Sequence, residues 1–126
     1  MQTFTKAERL CSKVLIDKLV EKGNSFQSFP FKITWLETQE IIMPAQIMIS
    51  VPKRIFKRAV DRNKLKRRTR EAYRKNKMIL YDHLNNKKIL FMLIYTAKTI
   101  ADYKEIEEKL IIGLQQLEKK INSKSN

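Results

Sequence analysis

Seven consecutive residues, Ile89-Leu90-Phe91-Met92-Leu93-Ile94-Tyr95, narrow what this 126-residue chain can fold into. The run has the length of a strand and turns no charged or strongly polar side chain toward water, so both of its faces need cover. It suits an interior strand of a sheet with other elements packed above and below. Phe31-Lys32-Ile33-Thr34-Trp35-Leu36 reads differently. Phe31, Ile33 and Trp35 alternate with Lys32 and Thr34, the period of a half-exposed strand. A chain of 126 residues is expected to form one domain over 1–126 and to bury roughly two thirds of its surface.

Caps and breakers place the remaining elements. Ser12 is the expected N-cap of a first helix with Val14, Leu15, Leu19 and Val20 as its apolar face. Lys22-Gly23-Asn24 would stop that helix, with Gly23 at positive φ. Thr5-Lys6-Ala7-Glu8 matches a capping box and allows an earlier turn. Residues 24–30 read as loop and 37–40 as a turn. Pro44 interrupts the β-rich stretch that follows, so a strand is expected over 46–51, with 41–43 a candidate short strand of its own. After a loop at 52–58, a basic helix is expected over 59–84, with Asn76 a possible break, and then a turn at 85–88. The last helix opens at Asp102, has Glu105 as capping partner, and repeats Ile106, Leu110, Leu114, Leu117 and Ile121 at helical spacing. Residues 122–126 read as a frayed tail. The order is that of an α+β fold, or a split α/β sandwich, on one small sheet.

Charge points to partners. Lys and Arg number 27 against 13 Asp and Glu, a net +14, and residues 53–77 carry +11 of it. A net charge of this size favours polyanions, and its concentration in one block marks a site rather than general solubility. No apolar run approaches the ~20 residues of a membrane span. The N-terminal residues hold no apolar signal core, and the single Cys11 closes no intramolecular disulfide, so the cytosol is the expected location.

Residues 61–77 contain five Arg and four Lys against Asp61 and Glu71. At about 100° per residue, Leu65, Thr69 and Ala72 share an arc of about 60°, enough to seat the helix on a sheet. Arg62, Asn63, Lys66, Arg67, Arg70 and Arg74 share another of about 140°, with Lys64, Arg68 and Lys75 on the far flank. Glu71 is placed to pair with Arg67 and Lys75, four residues either way. One acid cannot neutralise nine bases, and like charges four apart repel by a few tenths of a kcal/mol each. Phosphates would relieve that repulsion, and arginine's planar fork suits phosphate oxygens. The helix therefore reads as built for a complex with a polyanion, whether RNA, DNA or an acidic membrane surface, rather than as a merely solvated face.

The order Arg62-Asn63-Lys64-Leu65-Lys66-Arg67-Arg68-Thr69-Arg70-Glu71 resembles the signature of the bacterial RNase P protein subunit. That family carries Arg-Asn-Arg, an apolar residue, Lys-Arg, and a further Arg three residues on. Lys64 stands here where Arg is usual, which keeps the charge and loses the bidentate fork. The preceding SVPKRIFKRAVDRN is similar to the family's Ser-Val-x-Lys-Lys segment and its Ala-Val, and the helix ending at Gly23 followed by SFQSFPFKITW is similar too. The resemblance spans about residues 8 to 100 and is most specific over 50–71. It implies the order α-β-β-β-α-β-α, ribosomal S5 domain 2-like, with a left-handed βαβ crossover through the basic helix. The general rule for such crossovers is right-handed.

The residues themselves offer no catalyst. His83 reads as a helix-end histidine, Cys11 as a small packed group, and no CxxC, HExxH, GxSxG or Walker pattern occurs. The acids are scattered, whereas a two-metal nuclease needs them clustered. The resemblance implies that the RNA subunit is the catalyst, that Mg²⁺ enters with it, and that the substrate is precursor tRNA, cleaved at the 5′ leader. The protein would bind RNA on two surfaces. Arg62, Asn63, Lys64, Lys66, Arg67, Arg68 and Arg70 would meet the RNA subunit. A cleft between the first helix and the sheet would hold the single-stranded leader, with Lys53 and Arg54 the firmer candidates beside Phe31 and Lys32. Trp35 and Tyr95 are further candidate stacking rings on the sheet, although Phe31 and Trp35, each taken singly, read better as core aromatics. Ile16 and Val20 stand where family members often carry aromatics, which weakens a stacking account. A ribosomal-type RNA-binding protein without a processing role is the alternative the residues leave open. A membrane-surface role lacks the large apolar helix face it would need, and a DNA reader would be expected to show a second helix placed for the major groove.

Overall fold

The structure, a computed structural model, describes residues 4–123. A 3-10 turn at Lys6–Glu8 leads into α1 (Lys13–Lys22). Strands β1 (Asn24–Ser28), β2 (Phe31–Glu37) and β3 (Ala45–Ser50) follow, then α2 (Ala59–Asn76), the short α3 (Met78–Tyr81), β4 (Ile89–Tyr95) and α4 (Tyr103–Ser123). The sheet order is β1-β2-β4-β3. β2 is antiparallel to β1 and β4, and β3 is parallel to β4.

β4 is interior, as its unbroken apolar run requires. Its Ile89, Phe91, Leu93 and Tyr95 join Leu65 and Tyr73 of α2 and Ile106, Leu110, Leu114 and Leu117 of α4 in one core. Leu90 and Met92 face the other way, into a smaller core with Leu10, Leu19 and Ile41. The connection from β3 to β4 runs through α2, so the basic helix is one cover of the sheet and presents its outer surface to solvent.

The three strands before α2 are not the three expected. Residues 24–28, read as loop, form β1, and 41–43 form no strand. Asn-Ser-Phe-Gln-Ser has weak strand propensity, but an edge strand can take its pairing from its neighbour, and only Phe26 needs to lean on the core. β3 begins at Ala45, one residue after Pro44. The helix expected over 59–84 stops at Asn76 and resumes for one turn in α3. α4 runs through Ser123, so residues 122 and 123 are helical and the rest of the expected tail lies outside the described residues.

Helix α1 starts as expected, with Ser12 Oγ accepting from the Leu15 N–H at 3.4 Å. Its apolar face is different. Leu19 is buried and Leu15 and Ile16 are half-buried, whereas Val14 and Val20 are exposed. Leu15, Leu19 and Ile16 span an arc of about 100°, and Val14 lies about 100° outside it. Gly23 keeps a negative φ of −72°, so its requirement is space rather than handedness. A Cβ there would lie 2.4 Å from the Leu19 carbonyl oxygen and 2.9 Å from Thr34 Cγ2. Cys11, expected to pack inside, is exposed.

Glu8 fastens the N-terminal segment to the end of α2. Its Oε1 accepts from the Thr5 N–H at 2.9 Å, part of the expected capping box. Its Oε2 accepts from Lys77 Nζ at 2.7 Å and from the Tyr81 hydroxyl at 2.6 Å. Burial pushes the Glu8 carboxyl up, but the Lys77, Thr5 and Tyr81 donors together outweigh it and hold the group below the ordinary glutamate value. On its other side α2 is tied to α4, where Asn76 Nδ2 donates to Glu107 Oε2 at 3.0 Å.

Candidate nucleic-acid interface

Leu65, Thr69 and Ala72 seat α2 as their spacing predicts, and Tyr73 widens the buried stripe. The Thr69 hydroxyl, inside that stripe, donates to the Leu65 carbonyl at 2.8 Å and so carries no unsatisfied donor into the core. The nine bases of 61–77 do not all face outward. Arg62 Nη1 donates to the carbonyls of Phe56 and Lys57, both at 2.8 Å, and clasps the 52–58 loop to the first turn of α2. Arg68 Nη1 donates to the Ala101 carbonyl in front of α4. Lys75 Nζ stands 5.5 Å over the Tyr103 ring, and Lys77 is buried against Glu8. Glu71 pairs with Arg74, three residues on, rather than with Arg67 and Lys75. That Arg74 contact holds the Glu71 carboxyl below its ordinary value.

Internal contacts thus engage Arg62, Arg68, Arg74, Lys75 and Lys77. Lys64, Lys66, Arg67 and Arg70 make no hydrogen bond or ion pair among the described residues, and neither do the side chains of Lys53, Arg54, Lys57 and Arg58 in the preceding loop. Asn63 is exposed between them. Lys66, Arg70 and Arg67 share about 100° of the helix surface, and Lys64 lies on the flank toward α4. The arginine clasp at Arg62 sets this loop and helix into one continuous basic surface.

The second candidate surface lies under α1. On that face of the sheet, register places Gln46, Leu90 and Leu36 in one row, Met48, Met92 and Thr34 in the next, and Ser50, Ile94 and Lys32 in the third. Leu15 points to the first row, lining a hollow with Ile41 and Gln46. Ile16 and Val20 lie about 100° and 140° around the helix from Leu15, toward the third row. Ser50, Ile94 and Lys32 are all half-buried. They form an open floor beside an apolar helix edge, and Lys53 and Arg54, both exposed, follow directly beyond Ser50.

Phe31 does not belong to this cleft. It is fully buried on the opposite face, with its ring edge-on to Tyr95 at 5.9 Å, and Trp35 lies in the same core. Alternation in β2 sends Phe31, Ile33 and Trp35 one way and Lys32 and Thr34 the other, so the ring and the lysine cannot line the same surface. Among the described residues, no group of three or more His, Cys, Asp or Glu is placed to hold a metal ion. His83 is exposed, with Nδ1 2.9 Å from the Ile79 carbonyl oxygen. No helix among the described residues is long and apolar enough to cross a membrane.

A family model described as Ribonuclease P matches residues 4–118. The chain belongs to the ribonuclease P protein family. The ribonuclease P protein component of Porphyromonas gingivalis strain W83 is 30% identical over 110 residues, covering 85% of this chain and 80% of that one. The solved RNase P protein of Thermotoga maritima superposes with a TM-score of 0.68 at 26% identity, covering 86% of this chain and 96% of the other. A Staphylococcus aureus RNase P protein mutant, described as defective in mRNA degradation activity, gives 0.69 at 27% identity, covering 90% of each chain. Membership ties the chain to tRNA processing and to the ribonuclease P endoribonuclease.

In this RNase P protein the expected α-β-β-β-α-β-α order holds, with α3 as an added turn. Two features escaped the sequence. One is Arg9, which stands beside Arg67, Arg70 and Arg74 at the surface of α2. A lone arginine before a helix carries no local signal. The other is the cleft floor, where Ser50 and Ile94 meet only through the pairing of β3 with β4.

Proposed function

We propose that this chain is the RNA-binding protein subunit of a ribonucleoprotein ribonuclease P, in which the RNA subunit, with its Mg²⁺, removes the 5′ leader of precursor tRNA. The observation that carries this reading is the set of eight basic side chains within 53–70 that have no partner among the described residues. Desolvating or crowding such charges has no internal reward, whereas phosphate contacts relieve the repulsion and release counterions. Lys64, Lys66, Arg67 and Arg70, with Asn63, form the surface for the RNA subunit. Arg62 and Arg68 act mainly by holding that surface in place, through the Phe56, Lys57 and Ala101 carbonyls. The cleft takes the extended leader. Lys53, Arg54 and Lys32 meet its phosphates, and Ile16, Val20 and Ile94 offer bases an apolar wall without a stacking ring.

Positioning is then the chain's contribution: it holds the leader and the RNA subunit at a fixed distance across one rigid sheet. The scatter of carboxylates supports leaving the chemistry, and the metal, to the RNA subunit. The two surfaces should separate by mutation. Arg67→Ala or Arg70→Ala is expected to leave stability within about 0.5 kcal/mol, as for other surface changes. Each should weaken binding of the RNA subunit about tenfold, the size of one lost charge-assisted hydrogen bond. Lys53→Ala should spare assembly and reduce the preference for precursor over mature tRNA. Paired titrations with the RNA subunit alone and then with substrate measure both. Identical patterns of loss for Arg67→Ala and Lys53→Ala would end the two-surface reading.

A further inference from the structure

We propose that Arg9 is an additional RNA-phosphate contact, one that completes the basic surface of α2 and extends it around the edge of β3 toward the cleft. The proposal rests on the function reading above and names a residue outside the motif that suggested it.

Arg9 is exposed, yet its surroundings are fixed. Its neighbours Glu8 and Leu10 are both buried. Glu8 is bonded to Lys77, and the Leu10 N–H donates to the Ile47 carbonyl at 2.8 Å, which pins the segment along β3. The guanidinium carbon lies 5.4 Å from the centroid of Phe4. Phe4 in turn meets the buried Tyr73 ring edge-on at 5.7 Å, so the platform under Arg9 is anchored in the core beneath α2. A cation held by a ring face keeps its N–H donors for another partner. Arg9 makes no hydrogen bond or ion pair among the described residues.

Phe4 and Arg9, with Arg67, Arg70, Glu71 and Arg74, line an open hollow of about 270 Å³. Four arginines face one acid, and that acid is already paired with Arg74. An adjoining hollow of about 180 Å³ shares Phe4, Arg9 and Arg70 and reaches Met48, on the sheet face that floors the cleft. The chemistry that fits is a phosphodiester backbone, met by planar forks from two directions. Three of the four arginines belong to α2, which assigns the contact to the RNA subunit rather than to the leader.

The test titrates the RNA subunit with wild type, Arg9→Ala, Arg9→Gln and Arg67→Ala across a salt series. Lys119→Ala, at an exposed lysine of α4, controls for net charge. Arg9→Ala is expected to weaken binding about tenfold and to reduce the salt slope by about one, as Arg67→Ala does, while Lys119→Ala does neither. Arg9→Gln keeps much of the side chain's reach without its charge, and should match Arg9→Ala even if alanine disturbs the Phe4 platform. If both Arg9 variants bind like wild type while Arg67→Ala binds weakly, Arg9 is no contact and the two-surface reading stands. If Arg67→Ala also binds like wild type, the reading of α2 falls with the proposal. A loss confined to the preference for precursor over mature tRNA would overturn the assignment to the RNA subunit.

Discussion

Affinity for the RNA subunit is expected to fall by roughly 10³–10⁴ between 50 and 200 mM salt. Eight basic side chains over 53–70 have no partner among the described residues. Lys53 and Arg54 are assigned to the leader; if the other six and Arg9 meet phosphates of the RNA subunit, the slope of log affinity against log salt is about −5 to −6. The bases held internally should contribute less. Arg68 is bonded to the Ala101 carbonyl and Lys77 is buried against Glu8, so neither can approach a phosphate without breaking a contact. Filter binding or fluorescence titration over a salt series measures the slope. A nearly flat dependence would mean that apolar contacts dominate and that α2 is not the main RNA surface.

Glu8→Ala is expected to destabilise the fold by about 3–5 kcal/mol, because it leaves the Lys77 ammonium buried without its carboxylate. Lys77 and Glu8 are both almost inaccessible, and the Tyr81 hydroxyl loses the same acceptor. Replacing both partners, as Glu8→Leu with Lys77→Met, should recover much of the loss, since two well-packed apolar groups need no counter-charge. The pH dependence has a definite sign. Glu8 is held below its ordinary value in the folded chain, so its contribution is present above the unfolded glutamate value. It is lost as pH falls through the lowered folded value. Wild type should therefore approach Glu8→Ala in stability in acid and exceed it most at neutral pH. Urea unfolding of both proteins at neutral and acidic pH measures the difference. A gap below about 1 kcal/mol at neutral pH would contradict the role given to this ion pair, against the range for breaking a buried pair.

How legible each part was depends on whether its cause is local. β4 announces itself because seven apolar residues in a row have few other solutions, and α4 because Ile106, Leu110, Leu114, Leu117 and Ile121 are all buried at the spacing that proposed them. β1 hides because an edge strand borrows its order from β2. The charge block was readable as a block, but not its division. Which arginines face a carbonyl of another element, as Arg62 and Arg68 do, depends on where the loops arrive. Phe31 shows a different limit. Alternation tells which residues share a face, but not which face is covered by two helices and which stays partly open. Glu8 was legible as a cap through Oε1, while its second oxygen serves Lys77, 69 residues away.

The central claim is that this chain supports RNA-catalysed cleavage through binding alone. The most direct measurement incubates precursor tRNA at low Mg²⁺ with the protein, with a bacterial RNase P RNA, and with both. The account predicts 5′-leader removal only when both are present. Cleavage by the protein after micrococcal nuclease treatment, or no rescue of the RNA by the protein, would contradict it.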